Sequence, residues 1–154
     1  MHNKINMEIR EAKPEEYPSI VNFQLSMASE TENIELDKPT VDKGVKAVLA
    51  DGSKGKYYVA LEKGQIVGSL LTTYEWSDWR NGTILWIQSV YVLPTYRRKG
   101  VYRSLYTHLK NKVNQSEELN GIRLYADKSN IAAHKTYRKL AMADDHYLTF
   151  EWMK

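Results

Sequence analysis

The sequence contains no cysteine. That excludes disulfides, thiol nucleophiles, zinc–thiolate centres and iron–sulfur clusters together. Proline is scarce, with four residues, so few positions break regular structure. Long apolar runs are missing as well. The longest, such as Ile84-Leu85-Trp86-Ile87, fall far short of the roughly 18 residues that span a bilayer, and no membrane partner is expected. The first residues carry no apolar core of a secretory signal, so a cytoplasmic location is expected. The four histidines form no His-Glu-x-x-His pair, and no metal is expected.

Aromatic residues, by contrast, are plentiful: eleven Tyr, four Trp and two Phe. With 42% hydrophobic and 27% charged residues, the chain has the balance of a soluble globular protein. Its 154 residues suit one domain over residues 1–154. No internal repeat or low-complexity stretch interrupts it. Charge is unevenly spread. Residues 1–45 hold five basic against nine acidic residues, and residues 94–139 hold eleven basic against three acidic. A basic half attracts anions and an acidic half attracts cations, although two solvated faces would show the same bias. No helix-turn-helix, zinc-finger or RNA-binding motif accompanies the basic half, so nucleic acid is not an expected partner.

Periodicity and punctuation give an element order. Residues 7–10 alternate as a first strand. Lys13-Pro14-Glu15-Glu16 reads as a helix start, and Tyr17, Ile20, Val21, Leu25 and Ala28 share one face of that helix. Residues 29–39 read as an acidic loop. Thr40 is the expected cap of a short helix to Leu49, burying Val41, Val45 and Val48. The loop 51–55 lacks the glycine spacing of a P-loop. Residues 56–62 and 65–76 form a hairpin around Lys63-Gly64, and residues 83–92 a third strand that Pro94 stops. A helix follows over residues 101–115, with Val101, Leu105, Leu109 and Val113 as its apolar stripe. Asn120-Gly121 is an expected break before a strand at 122–126. Asn130 caps a helix to about Leu140, and residues 147–152 read as a last strand.

The informative segment joins a strand, a proline, a basic glycine turn and a helix. A helix N-terminus presents unpaired N–H groups and partial positive charge. Gly100 allows close approach to the backbone, and Arg97, Arg98 and Lys99 add cations. Such a place suits a phosphate or pyrophosphate. An exposed basic turn fits the same local pattern.

Arg97-Arg98-Lys99-Gly100-Val101-Tyr102 resembles motif A of the GNAT superfamily of N-acetyltransferases, Q/R-x-x-G-x-G/A between a strand and a helix. Tyr102 stands where the family has Gly or Ala. Asn130, Ala133 and Tyr137 resemble the family's N-x-x-A-x-x-x-Y pattern on the following helix. Ala141-Met142 replaces its usual Gly-Phe. The resemblance implies an α/β (α+β) fold, a mixed and mostly antiparallel central sheet flanked by about four helices. It implies acetyl-coenzyme A as cosubstrate and a small-molecule or protein amine as acceptor.

On that resemblance, backbone groups of Val90, Tyr91 and Val92 hold the pantetheine arm. The N–H groups from Arg98 to Arg103, through Lys99, Gly100, Val101 and Tyr102, hold the pyrophosphate, with Arg97 opening the loop. Asn130 and Ala133 line the far side, and Tyr137 is the general acid. An ordinary tyrosine has a pKa of about 10 and is protonated at neutral pH. Gln88 occupies the position of the carboxylate base of some members. Glu75, Asp78, Glu30 and Glu32 are the remaining candidates for handling the amine, and Trp76, Trp79 and Trp86 for lining its pocket. A non-catalytic acyl-coenzyme A-binding module is the alternative reading. The aromatic last strand suits either a core or a homodimer contact.

Overall fold

A computed structural model describes residues 6–154. They fall into two compact units, one ending at Arg123 and the other running Leu124–Lys154. The first unit is built on a mixed five-stranded sheet in the order β1-β2-β3-β4-β5, with β1 Glu8–Glu11, β2 Lys56–Glu62, β3 Gln65–Ser77, β4 Gly82–Val92 and β5 Leu119–Leu124. Strands β1 to β4 pair antiparallel in sequence. Three helices join them: α1 Tyr17–Glu32, α2 Lys38–Ala50 and α3 Val101–Gln115. In the second unit α4 spans Ile131–Lys139.

Alternation along β2 sends neighbouring tyrosines to opposite faces of the sheet. Tyr57 joins Ile20 and Val21 of α1 and Val45 of α2 in one buried cluster. Tyr58 packs its ring against His108 of α3, with centroids 5.5 Å apart. Thus α1 and α2 cover one face and α3 the other. The expected α3 stripe is the buried one at Val101, Leu105 and Leu109.

Several boundaries differ from the sequence reading. Helix α1 continues to Glu32, because nothing between Ser29 and Glu32 breaks it; Asn33, at φ 52°, ends it in the left-handed conformation. Glu30 and Glu32 therefore stand on a helix, not in a loop. Helix α2 is capped by Asp37, which accepts from the Thr40 amide at 3.0 Å, with Pro39 in the first turn. Strand β5 begins three residues early, at Leu119. Asn120 is accommodated in it because its partner strand offers Gly82: a Cβ there would lie 1.7 Å from Asn120 Oδ1. Residues 147–152 form no strand. Tyr147, Leu148, Phe150 and Trp152 are exposed, and within the second unit no strand is present to receive them.

Candidate active site

Strand β4 carries the site on its second half. Its pairing with β3 shifts between Leu71 and Thr72: Ser89 opposes Leu71 and Ile87 opposes Thr72, leaving Gln88 as an extra residue. Such a bulge twists a strand and re-aims its side chains. Pairing resumes to Val92 opposite Gly68, and the Leu93 amide donates to Val67 O at 2.9 Å. Pro94–Tyr96 forms one 3-10 turn, and the chain turns again over residues 97–100.

That second turn contains two left-handed residues, Arg98 at φ 62° and Gly100 at φ 83°. Gly100 is the N-cap of α3, and a Cβ built on it would meet nothing within 4 Å. The first turn of α3 is seated by Val101, which is 2% exposed and packs against Gly68. A Cβ at Gly68 would lie 3.0 Å from Val101 Cγ1 and 3.1 Å from Tyr91 O, so glycine permits the close approach of helix to sheet. The result is a seated helix N-terminus whose leading amides face an open, basic turn. Arg97, Arg98, Lys99 and Arg103 are all exposed there. Backbone of this kind binds phosphate groups.

Four β4 side chains reach polar partners. Trp86 Nε1 donates to Glu75 Oε2 at 2.7 Å, and Arg123 Nη1 donates to both Glu75 oxygens at 2.8 Å. Gln88 Nε2 donates to Thr73 Oγ1 at 2.7 Å. Ser89 Oγ accepts from Gln24 Nε2 of α1 at 3.3 Å. Tyr91, its ring 5.1 Å from that of Phe23, donates its hydroxyl to Glu30 Oε1 at 2.8 Å. Both carboxylates are held below the usual range. For Glu75 the Trp86 hydrogen bond is the main cause, with Arg123 adding to it; for Glu30 it is the Arg97 hydrogen bond, then that of Tyr91. A carboxylate so stabilised is a weak proton acceptor.

Of the other acceptor-side candidates, Asp78 accepts from the Trp79 amide at 2.9 Å in the β3–β4 turn. Trp76 and Trp79 are exposed at that end of the hairpin. The first unit thus brings Val90, Tyr91, Val92 and the turn from Arg97 to Arg103 together. Glu30 joins them through Arg97, while Glu75 belongs to a separate cluster with Trp86 and Arg123. Sequence reasoning missed the bulge and the contacts of Gln24 and Glu30. Glu30 and Arg97 stand 67 residues apart, and no spacing rule connects them.

In the second unit, Asn130 Oδ1 accepts from the Ala133 amide at 3.1 Å and so caps α4. Tyr137 lies half-buried on that helix, and burial raises its pKa. Its hydroxyl keeps its proton at neutral pH. Helix α4 closes with Ala141 at φ 63°, and the Met142 amide returns to Tyr137 O at 3.1 Å. The left-handed position here is one that glycine ordinarily fills.

Comparison with known proteins decides the family. The model of the acetyltransferase (GNAT) family matches residues 11–142. The chain belongs to the GNAT acetyltransferase family. A solved structure described as a possible acetyltransferase from Clostridium difficile 630 is 46% identical. The match covers 96% of this chain and 97% of that one, with a TM-score of 0.90. More distant solved structures share the fold. An aminoglycoside acetyltransferase from an uncultured soil metagenomic sample, in complex with sisomicin, is 20% identical, with a TM-score of 0.74 and 96% of each chain covered. A ribosomal-protein-alanine N-acetyltransferase from Brucella melitensis biovar Abortus 2308 is 17% identical, with a TM-score of 0.78, covering 96% of this chain and 99% of that one. No curated protein matches the chain. Among the described residues no group of His, Asp or Glu is arranged to hold a metal, and no helix is long and apolar enough to cross a membrane.

Proposed function

We propose that the chain moves an acetyl group from acetyl-coenzyme A to a primary amine by direct attack, and that it does so as one domain. The observation that carries this reading is the turn at residues 97–100. Its two left-handed residues and the seated N-terminus of α3 form a backbone cradle for a pyrophosphate at the end of a bulged strand. Amides from Arg98 to Arg103 bind the pyrophosphate, with Arg98, Lys99 and Arg103 supplying charge. Backbone groups of Val90 and Tyr91 align the pantetheine arm. Acetyl-coenzyme A supplies an activated thioester.

The reaction needs no protein nucleophile, which agrees with a sequence lacking cysteine. The amine lone pair forms the C–N bond as the C–S bond breaks. The proton lost by nitrogen replaces the one that Tyr137 gives to sulfur, so amine and thioester become amide and thiol. Burial keeps the Tyr137 proton in place until sulfur develops charge. Glu30 and Glu75 are each engaged by an arginine and Gln88 carries no basic group, which leaves Asp78, Glu32 or solvent to take the proton of the amine. The acceptor is a small-molecule or protein amine, as relatives of both kinds suggest.

The test is thiol release from acetyl-coenzyme A across a panel of aminoglycosides, polyamines and peptide N-termini, with Tyr137→Phe beside the wild type. Amine-dependent release that falls at least tenfold in Tyr137→Phe supports the reading. Equal release by the two sinks the acid role. The engaged carboxylates favour a second reading, coenzyme binding without transfer. Tight coenzyme binding with no turnover on any amine would establish it.

A further inference from the structure

We infer that Glu30, near the end of α1, is a positioning residue for the turn at residues 97–100, acting through Arg97. The inference rests on reading that turn as the coenzyme cradle. Arg97 matches the first position of a phosphate-binding motif, yet its side chain is committed elsewhere. Nη2 donates to Glu30 Oε2 at 2.5 Å, Nε donates to Val92 O at 3.0 Å, and the guanidinium carbon lies 5.4 Å from the centre of the Tyr91 ring. Tyr91 is itself fixed, with its ring against Phe23 and its hydroxyl on the second oxygen of Glu30. Carboxylate, carbonyl and ring together hold the guanidinium across the end of β4.

The next residue explains why such a hold is needed. Arg98 takes a left-handed backbone conformation without being glycine. A residue in that region persists only where its surroundings over-determine it. On one side Gly100 and the seated Val101 fix the chain. On the other side Arg97 is fixed by Glu30, Tyr91 and Val92. Arg98 is therefore clamped between two anchors, and its amide and those that follow are set before a ligand arrives. Prepaid ordering of this kind raises affinity. The ion pair is about two-fifths exposed at each partner, so as an isolated pair it would add little. Its effect comes from the network that contains it.

The opposite possibility predicts the opposite sign. If Arg97 were a direct ligand of the pyrophosphate, Glu30 would compete with the coenzyme, and removing its charge would tighten binding. Coenzyme A is titrated calorimetrically into the full chain, comparing wild type with Glu30→Gln, Arg97→Ala, their combination, and Tyr91→Phe. Glu16→Gln is the control. It breaks the Arg10–Glu16 pair (2.6 Å) near β1, far along the chain from the turn. Glu30→Gln and Arg97→Ala each weaken binding roughly three- to tenfold. The combination is no weaker than the worse single variant, because both remove one anchor. Tyr91→Phe shows a smaller loss of the same sign. Glu16→Gln lowers the thermal midpoint but leaves the affinity within about twofold of wild type. In turnover, Glu30→Gln raises the KM for acetyl-coenzyme A and leaves kcat unchanged.

Binding by Glu30→Gln equal to or tighter than wild type overturns the inference, as do losses that multiply in the combination. If Glu30→Gln does not fold, Tyr91→Phe decides the matter, and unchanged affinity there overturns it. Wild-type protein that binds no coenzyme A overturns the cradle reading, and the inference with it. That outcome is distinct from a wild type that binds and a Glu30→Gln variant that binds equally well.

Discussion

Replacing Gly68 by alanine places one methyl group between β3 and the first turn of α3. The new Cβ would stand 3.0 Å from Val101 Cγ1, 3.1 Å from Tyr91 O and 3.5 Å from Val92 Cγ2. Each of these neighbours belongs to the frame of the candidate cradle. Val101 begins the helix, and Tyr91 and Val92 end the strand. Overpacking of this kind costs about 1–3 kcal/mol. Loss of glycine's freedom in the unfolded chain offsets about 0.4–1 kcal/mol of that. The net destabilisation is about 1–2 kcal/mol, or a fall of roughly 2–8 °C in thermal midpoint for a chain of this size. Because the backbone of β4 is held by pairing, Val101 must give way, and the helix N-terminus moves with it. Gly68→Ala should therefore also weaken coenzyme binding. Gly44→Ala is the matched control: Gly44 lies inside α2, its Cβ would meet nothing within 4 Å, and the change should stabilise by about 0.5–1 kcal/mol. Thermal unfolding and calorimetry on the two variants check the argument. A Gly68→Ala protein with wild-type midpoint and affinity would refute the claim that close helix–strand packing seats the cradle.

Three further outcomes follow from single residues. Ser69 is 1% exposed, and its hydroxyl has no hydrogen-bond partner among the described residues, so Ser69→Ala should raise stability by about 1 kcal/mol in denaturant titration. Ala141 closes α4 at φ 63°, so Ala141→Gly should stabilise by about 1 kcal/mol, read from the same titration. Burial, and then Lys112, push the His108 pKa below its ordinary 6.5, while Glu11 acts the other way. The unfolded chain then takes up a proton at a higher pH than the folded one. The His108 contribution is complete above about pH 6.5 and is lost as pH falls through the folded value. Thermal midpoints measured from pH 7 to pH 5 should decline in the wild type and decline less in His108→Gln.

Much of this architecture was legible because each element announces itself locally. The stripe of Val101, Leu105 and Leu109 and the turn at Lys63-Gly64, whose residues take φ 49° and 79°, need no distant contact to be read. Asn130 acts as the expected cap of α4. What sequence reasoning missed depends on tertiary placement. Asn120-Gly121 looks like a break, and only the space above Gly82 lets it continue as strand. The bulge at Gln88 arises from the pairing of β4 with β3, which the composition of neither strand reveals. Glu30 read as a loop charge because residues 29–39 are polar and acidic, and its contacts with Tyr91 and Arg97 span more than sixty residues. The basic glycine turn was visible as a motif; the contacts of Arg97 with Glu30 and Val92 were not.

The most direct test of the account is calorimetric titration of acetyl-coenzyme A into the wild type and into Arg98→Glu/Gly100→Asp. That variant puts two carboxylates in the turn and a side chain at φ 83°, where L-residues are strained. Wild-type protein should bind with micromolar affinity, and the folded variant should bind at least a hundredfold more weakly. Equal binding by the two proteins would contradict the assignment of residues 97–103 as the pyrophosphate site.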